Sequence, residues 1–376
     1  MQNKIFTKFV QDHVAVSSLE SPLHATRKDP RIISITWFIG KRCNYDCSYC
    51  PSYTHDNFSP HIKKVEAINF INALEKYALE QNKTFKISIT GGEHFVHPDF
   101  MSILQHLKQK KSLTQLVVVT NGSVSLEKYV QSLNYITNLT ISLHLEQNNK
   151  TVDRTIEKIV ALTKLKKAWI NVNLMVLPKS LTKIKKIIKI FQQNKVKFVL
   201  IKIDPPVENV LNKIKKGDTQ KILKAEEKYL QNKLDIKTKY HTNLEQRHEE
   251  YYTKEELQFI ENFEQQNQWK NIKLHQEDKI MEMNTSDLVA KKLNKWQGWQ
   301  CYIGIDSLYI QHDGTIFRGN CMQGNIIGKI GSNINWPKTP IKCPIEVCVC
   351  NADMPIRKVK ESKYEYLIHN KKENNV

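Results

Sequence analysis

The 376-residue sequence has no long apolar run. Its first residues, MQNKIFTKFVQDHVAVSS, lack the continuous apolar stretch of a secretory signal, and no stretch approaches the roughly 18 apolar residues of a membrane-spanning helix. We therefore expect no membrane partner and a location in the cytoplasm. Hydrophobic residues still make up 40% of the chain, which is enough for a buried core and excludes a disordered or collagen-like protein.

Arginine is also scarce. Only seven of the 57 basic residues are Arg, although the net charge is +19. Phosphate and base recognition favours the planar fork of Arg, and lysines such as Lys183, Lys186 and Lys189 alternate with Ile in an amphipathic pattern. The lysines therefore predict a solvated surface, and nucleic acid is not an expected partner. A non-enzymatic zinc protein that binds nucleic acid through this surface is the alternative from another class.

The eight cysteines fall into two sets that lie roughly 250 residues apart. In a reducing compartment, such sets are metal or redox sites more often than disulfides. The first set is Cys43, Cys47 and Cys50, and the second is Cys301, Cys321, Cys343, Cys348 and Cys350.

The first set occurs in the stretch RCNYDCSYCP, whose C-x3-C-x2-C spacing supplies three thiolates from one short loop. No fourth Cys or neighbouring His stands at zinc-finger spacing. Three sulfur ligands suit a 4Fe-4S cluster whose fourth iron keeps an open position for a substrate or cofactor. The alternative interpretations are a structural zinc loop and three unrelated thiols.

With the aromatic Tyr49 just before the third cysteine, this motif resembles the signature of radical S-adenosylmethionine (radical SAM) enzymes. The resemblance implies that Cys43, Cys47 and Cys50 bind three irons of a 4Fe-4S cluster while SAM chelates the fourth. It also implies a low-potential electron donor such as flavodoxin or ferredoxin. Reductive cleavage of SAM would then give a 5′-deoxyadenosyl radical that abstracts hydrogen from a substrate.

Six short β-branched runs alternate with amphipathic stretches from residue 31 to residue 203. The predicted strands span 31–39, 85–90, 115–120, 138–144, 168–176 and 196–203, and the predicted helices lie near 61–81, 98–110, 124–133, 151–166 and 181–193. This order predicts an α/β fold, a partial (βα)6 TIM-like barrel with parallel strands. Radical SAM enzymes resemble this plan, in which chemistry gathers at the carboxyl ends of the strands.

Unusual residues follow the predicted strands. Gly91, Gly92 and Glu93 come after the second strand, where glycines let a backbone approach a ligand closely and a carboxylate can pair with an ammonium group. In this position they resemble the family's GGE motif, which implies binding of the SAM amino group. The same resemblance implies that Asn121 and Ser142, at the ends of the third and fourth strands, hold the SAM ribose and carboxylate.

Further candidates lie near the carboxyl ends of the predicted strands. Arg154 is placed like an Arg that pairs with the SAM carboxylate in the family. His144 is a catalytic candidate that would contact the substrate. Asn173 is a cofactor-binding candidate at the same end of the predicted barrel. We interpret His94 and His97 as turn residues that start the next helix.

Alternating runs flank Asp313-Gly314 and predict a β-hairpin, which Cys301 and Cys321 bracket. Together with the last three cysteines they exceed the four ligands that a second cluster needs. The arrangement resembles the twitch domain, the short form of the SPASM domain, which carries one auxiliary 4Fe-4S cluster in several radical SAM enzymes.

The spacing C-x4-C-x-C of the last three cysteines differs from the usual SPASM core. We favour Cys348 and Cys350 as ligands and leave Cys343 as a spare. A four-thiolate zinc site is the alternative. The expected role of the auxiliary cluster is to accept an electron from the substrate radical.

The expected domain boundaries follow from these features. They are an N-terminal extension (1–30), the (βα)6 core (31–205), a helical connecting region (206–298) with helices at 219–229 and 254–267, a twitch-like domain with its auxiliary cluster (299–356) and a polar C-terminal tail (357–376).

The substrate has two alternative interpretations. Only 30 residues precede the first predicted strand, which is short for the leader-binding domain often fused to peptide maturases. The expectation is therefore a small, sugar-like metabolite, and a ribosomally made peptide is the alternative.

Overall fold

The computed structural model describes residues 23–26, 31–50, 55–203, 251–266, 272–276, 279–348 and 350–360. Of the two helices expected in the connecting region, the one at 219–229 lies outside these described residues, and the other is present as Lys254–Gln266. No helix among the described residues has the length and apolar character needed to cross a membrane.

The described elements alternate along the first half of the chain and become mostly short strands in the second. The strands are β1 (Leu23–Thr26), β2 (Ile32–Phe38), β3 (Thr84–Thr90), β4 (Leu113–Thr120), β5 (Asn138–Leu143), β6 (Trp169–Val176), β7 (Lys197–Lys202), β8 (Ile272–Gln276), β9 (Lys279–Met283), β10 (Gln300–Cys301), β11 (Ser307–Ile310), β12 (Thr315–Phe317), β13 (Ile326–Lys329), β14 (Ile341–Lys342) and β15 (Lys358–Val359). The helices are α1 (Lys64–Glu80), α2 (Phe100–Lys108), α3 (Leu126–Ser132), α4 (Asn149–Leu165), α5 (Leu181–Gln193), α6 (Lys254–Gln266) and α7 (Thr285–Ala290), and a short 3-10 turn spans His94–Val96.

Strands β2 to β7 lie side by side in chain order, and each pairs in parallel with the next. Helices α1 to α5 connect them. This is the α/β partial barrel that the alternating pattern predicted, and the six strands and five helices agree with the predicted ranges to within a few residues. The prediction of fold class is confirmed.

The two faces of this sheet have opposite chemistry. One face is apolar and packs against the helices, as in β2, where Ile33, Ile35 and Trp37 are buried. The other face lines the interior of the partial barrel and is mostly polar. Two cavities of about 430 and 1150 Å³ lie along it. Interior residues of the six strands that line these cavities are Ile32, Ser34, Thr36, Lys86, Ser88, Gln115, Val117, Asn138, Thr140, Trp169, Asn171, Asn173, Lys197 and Val199.

The predicted hairpin forms between β11 and β12, with Gly314 in the left-handed region at φ 85°. It is not separate from the barrel. Strand β11 pairs in parallel with β2, with Ser307 opposite Ser34, and β12 and β13 continue the same sheet beyond it. The hairpin therefore extends the barrel sheet on the side opposite β7.

A second sheet has the order β14-β10-β15-β1-β8-β9. It joins strands from the expected N-terminal extension, the connecting region, the twitch-like region and the C-terminal tail. Three of these strands, β10, β14 and β15, span two residues each and are too short to show a period in the sequence.

Candidate functional site

The Cys43–Cys50 loop begins directly beyond β2 and is closed at its base by backbone hydrogen bonds. Cys43 N donates to Asp56 O at 2.6 Å, and Asp56 N donates to Lys41 O at 3.1 Å. The side chains of Lys41 and Asp56 form a buried ion pair at 3.6 Å. Burial raises the pKa of Asp56, but hydrogen bonds from Ser59 and Phe58 and the charge of Lys41 outweigh it, so that the pKa is lowered. The ion pair therefore fixes both ends of the loop.

The two glycines after β3 are required by contact with the chain that enters this loop. Gly91 has φ 123°, and a Cβ on Gly92 would collide with the carbonyl oxygens of Lys41 and Arg42. Gly92 N donates to Gly40 O, and Glu93 N donates to Arg42 O, both at 2.9 Å. We predicted that these glycines approach a ligand. The structure places them against Gly40–Arg42, which by itself explains why side chains are excluded here.

The Glu93 carboxylate is 2% exposed and is satisfied by the protein. It accepts hydrogen bonds from Thr120 Oγ1 at 2.8 Å, Asn121 N at 2.7 Å and Phe95 N at 3.1 Å. Burial raises the pKa of Glu93 even though these bonds act to lower it. The carboxylate therefore ties the ends of β3 and β4 together, while its contact with the SAM amino group stays a prediction.

Asn121 connects the end of β4 to the cysteine loop. Its Nδ2 donates to Asn44 Oδ1 at 2.9 Å and lies 3.7 Å from Cys43 Sγ, and Asn44 Nδ2 donates to Ser123 Oγ at 2.9 Å. We predicted a contact of Asn121 with SAM and did not identify Asn44. Asn44 stands directly after the first cysteine, and that position was the only signal in the sequence.

The segment after β5 holds the other end of the loop. Ser48 N donates to Glu146 Oε2 at 2.8 Å, and the Ser48 hydroxyl donates to the second oxygen of the same carboxylate. The Tyr49 hydroxyl forms a hydrogen bond with His144 Nδ1 at 2.6 Å, and Cys47 Sγ lies 3.4 Å from that nitrogen. The structure thus brings His144, Tyr49 and Cys47 together. Sequence reasoning missed Glu146, whose signal was its position two residues after a strand-end histidine.

Burial favours the neutral form of these side chains. It lowers the pKa of His144 to about 4 and raises the pKa of Cys47 to about 12, and it also raises the pKa of Cys43 and Tyr49. A cysteine binds iron as a thiolate, so binding must release the thiol protons. The lowered pKa leaves His144 uncharged beside the loop at neutral pH.

The other predicted cofactor residues are more dispersed. Ser142 is half-buried on β5, Asn173 lines the larger cavity, and Arg154 is exposed on α4. His97 accepts from Asp99 N at 3.0 Å through Nδ1, and its Nε2 lies 2.9 Å from Ile62 O. His97 therefore helps to start α2, as we predicted. His94 is buried against Phe100, with 5.6 Å between ring centroids.

The five C-terminal cysteines come from several elements. Cys301 lies on β10, Cys321 follows β12, and the other three follow β14. Burial raises the pKa of Cys301, raises that of Cys321 well above its ordinary value and raises that of Cys348 to about 12. Cys301 and Cys343 belong to one buried apolar cluster, and Cys321 packs against it.

The donor chemistry of both sets fits iron-sulfur clusters. The first offers three thiols from one loop, and the second offers five from buried and half-buried positions. No group of three His, Cys, Asp or Glu side chains within the described ranges stands in an arrangement that would hold one metal ion. In a 4Fe-4S cluster each thiolate binds a different iron, so its ligands do not have to converge on one point.

Comparison with known proteins identifies one domain of this chain. Residues 37–180 match the Radical SAM superfamily. The GTP 3′,8-cyclase of Haemophilus influenzae (strain 86-028NP) is 32% identical over 85 residues, which cover 22% of this chain and 24% of the cyclase. The GTP 3′,8-cyclase of Ectopseudomonas mendocina is 30% identical over 93 residues, 25% of this chain and 27% of that protein. The chain thus spans only about a quarter of the length of these curated relatives.

Among solved structures, Streptococcus suis SuiB bound to S-adenosylmethionine is similar to this chain with a TM-score of 0.49 and 13% identity, over 82% of this chain and 66% of that one. The stretch that matches the superfamily, residues 37–180, contains the Cys43–Cys50 loop, the Gly91–Glu93 turn and strands β3 to β6. Radical SAM enzymes use a 4Fe-4S cluster and SAM. Residues 37–180 of this chain therefore form a radical SAM domain.

Proposed function

We propose that this chain cleaves SAM reductively at a 4Fe-4S cluster held by Cys43, Cys47 and Cys50, and uses the resulting radical to remove hydrogen from a small polar metabolite. The observation that carries the proposal is the support of the cysteine loop. Side chains at the ends of β4 and β5 bind it at Asn44 and Ser48, next to two of the cysteines. Such a fixed loop at the carboxyl ends of parallel strands is where barrel enzymes place chemistry.

The residues around the loop would position the cofactor. When bound, the cluster and SAM together supply the electron transfer that releases the 5′-deoxyadenosyl radical. Asn121 and Glu146 keep the loop in one conformation through Asn44 and Ser48. His144 orients the Tyr49 ring through a hydrogen bond to its hydroxyl. Ser142 and Arg154 are the proposed contacts for the polar groups of SAM, together with the backbone at Gly91–Glu93.

The interior of the partial barrel supports a polar substrate. TIM barrels fill this space with branched apolar residues, whereas here it is lined largely by hydroxyl, amide and lysine side chains around cavities of about 430 and 1150 Å³. A sugar-like metabolite could bind these side chains through hydrogen bonds. The curated relatives are named for a reaction on GTP, a small polar molecule, which favours the same interpretation over a peptide.

The C-terminal cysteines would hold the second 4Fe-4S cluster, with Cys301, Cys321, Cys348 and Cys350 as ligands. The segment next to them supports its role as an electron acceptor. Asn351, Ala352 and Pro355 line the smaller cavity together with barrel residues such as Ser34 and Ser88. A substrate radical in that cavity would therefore lie next to the chain segment that carries the second cysteine set. The first cluster would receive its electron from a low-potential donor such as flavodoxin or ferredoxin.

Metal counting tests the cofactor assignment. The chain is purified without oxygen, and its iron, sulfide and zinc are measured. About eight irons per chain support two 4Fe-4S clusters, and two zincs would contradict the proposal. The matched control replaces Cys43, Cys47 and Cys50 together by Ala and should retain about four irons. After reduction with SAM, mass spectrometry should detect 5′-deoxyadenosine with the parent chain and none with the control.

Hydrogen transfer tests the substrate class. Extract from cells grown in deuterated medium is separated into a small-molecule fraction and a peptide fraction, and each is incubated with the reduced chain and SAM. Deuterium in 5′-deoxyadenosine from the small-molecule fraction supports the proposal. Deuterium only from the peptide fraction would show that a peptide is the substrate.

A further inference from the structure

Lys358 is a lysine buried to 1% exposure, at a position on β15 directly opposite Cys301 on β10. Residues that face each other across an antiparallel pair project from the same face of the sheet and lie close together. The Lys358 ammonium also lies 4.5 Å from the centroid of the buried Trp296 ring. The Lys358 side chain is therefore buried beside Cys301 and the face of the Trp296 ring.

Backbone carbonyls use all the protons of this ammonium. Nζ donates to the carbonyl oxygens of Asp353 at 2.7 Å, Ile356 at 2.9 Å and Met354 at 3.3 Å. A lysine ammonium has three donors, so its hydrogen-bonding capacity is filled. Neutral carbonyls do not offset a full positive charge, and a buried charge without an opposite charge is costly.

No carboxylate of a described residue lies within 4.0 Å of this ammonium. The neighbouring Arg357 provides the contrast, because it forms a buried ion pair with Asp306 at 3.1 Å. Asp353 is buried too, but its Oδ2 accepts from Cys321 N at 2.5 Å and its Oδ1 has no hydrogen-bond partner among the described residues. The charge on Lys358 therefore has no close carboxylate partner.

Bound to iron, the thiols would supply the missing negative charge, because a cysteine binds iron as a thiolate. Cys301 stands directly opposite Lys358 across the strand pair. Cys301 and Cys343 also belong to one buried cluster, against which Cys321 packs. The ammonium and the thiolates would then stabilise each other in a region from which water is excluded.

We propose that Lys358 is a positioning residue whose fixed positive charge offsets the thiolates of the C-terminal 4Fe-4S cluster and raises the reduction potential of that cluster. This inference rests on the proposed second cluster. Reduction adds one negative charge to a cluster, and a nearby positive charge in a medium of low polarity favours that addition. Lys358 would thereby make the C-terminal cluster a better electron acceptor.

A chain in which Cys43, Cys47 and Cys50 are all Ala isolates the C-terminal cluster for measurement. Its reduction potential is determined by titration followed with electron paramagnetic resonance. Lys358→Met keeps the length of the side chain and removes its charge, and Lys358→Arg keeps the charge. Lys342→Met is the matched control, because it removes the same charge from an exposed position on β14 of the same sheet.

We expect Lys358→Met to weaken one-electron reduction of the cluster about tenfold or more, a fall in potential of about 59 mV. The reduction potentials of Lys358→Arg and Lys342→Met should stay close to that of the parent. Loss of iron from Lys358→Met but not from Lys358→Arg would also support the role of charge. An unchanged potential in Lys358→Met, or equal loss of iron from the Met and Arg variants, would overturn the role of Lys358 alone. Absence of iron from the parent variant would overturn the second cluster and this inference with it.

Discussion

The two cysteine regions of this protein are supported in different ways. The N-terminal loop carries its three cysteines within eight positions and is held from outside, by Asn121 and Glu146 at strand ends. The C-terminal cysteines come from separate elements, and the fully buried Lys358 stands opposite one of them, Cys301. One of the three N-terminal cysteines, Cys47, is buried, whereas three of the five C-terminal ones are buried, namely Cys301, Cys343 and Cys348.

The difference corresponds to two kinds of chemistry. A cluster that must bind a second molecule needs an accessible face and a loop that keeps its shape without covering that face. A cluster that only stores or transfers an electron benefits from enclosure, because burial and nearby charge set its potential. The comparison therefore supports the two proposals, SAM binding at the N-terminal cysteines and electron transfer at the C-terminal ones, and each proposal can be tested.

Cys47→Ala should have the largest effect. Without this ligand the N-terminal cluster has no complete set of three thiolates, so SAM cleavage should fall to background and iron content should fall to about four per chain. Production of 5′-deoxyadenosine and iron content provide the measurements. Substantial SAM cleavage by this variant would show that the N-terminal cysteines are not the site of SAM cleavage.

Asp306→Ala tests the link between the barrel and the C-terminal region. Asp306 pairs with buried Arg357 and also with Lys83 at 2.9 Å, so its loss removes the carboxylate partner of both cations. We expect the free energy of unfolding in urea to fall by about 3–5 kcal/mol. The control is Glu80→Ala at the end of α1, because Glu80 pairs with exposed Lys76, and its loss should change that free energy by about 1 kcal/mol at most.

The pH dependence of stability tests whether the Asp56 carboxylate holds the N-terminal loop. Its pKa is lower in the folded protein than its ordinary value of 3.8, so the folded state binds fewer protons there than the unfolded state. The stabilisation is fully present above that value and is lost as pH falls through the folded pKa. Asp56→Asn should cost about 1–3 kcal/mol at pH 7 and show a weaker loss of stability on acidification.

Urea unfolding at several pH values between neutrality and the acid limit measures this difference. The same loss on acidification in both proteins would show that Asp56 does not hold the loop through its charge.

Asn121→Ala should have a moderate effect on catalysis. It removes the contact with Asn44 and Cys43 but leaves all cysteines in place. Loss of about one hydrogen bond corresponds to roughly a tenfold decrease in kcat/KM for SAM cleavage with unchanged iron content. Asn194→Ala, at the end of α5 and far along the chain from the loop, is the control. Loss of iron would instead show that Asn121 is needed to hold the cluster itself.

Cys343→Ala should have the smallest effect. If Cys343 is the spare cysteine of the second set, iron content and the C-terminal cluster potential should both stay close to those of the parent. Loss of about four irons would make Cys343 a ligand and would remove one of the four that we favour.

The barrel was predictable from sequence because its strands are long enough to show alternation and its helices long enough to show an apolar face. The hairpin was predictable from Asp313-Gly314 for a similar local reason. The second sheet was not, because two-residue strands such as β10 and β15 depend on neighbours that are distant in the chain.

The cysteines were identifiable from their spacing, whereas the residues that hold them were not. Asn44 and Glu146 act through side-chain contacts between loops of different strands, and no local pattern encodes such contacts. Gly92 was predicted to let the backbone approach a ligand, but it contacts the backbone at Lys41–Arg42. Lys358 is one lysine among many in the sequence, and only its burial distinguishes it.

The parallel pairing of β11 with β2 has a consequence for how the protein is made. Strand β2 is synthesised early, and its partner leaves the ribosome roughly 270 residues later. Until then, β2 has an unpaired edge that other strands could join. A nascent chain that stops before β11 should therefore aggregate or be cleaved by added protease more readily than the full chain, and chaperones that shield strand edges should matter most during this interval.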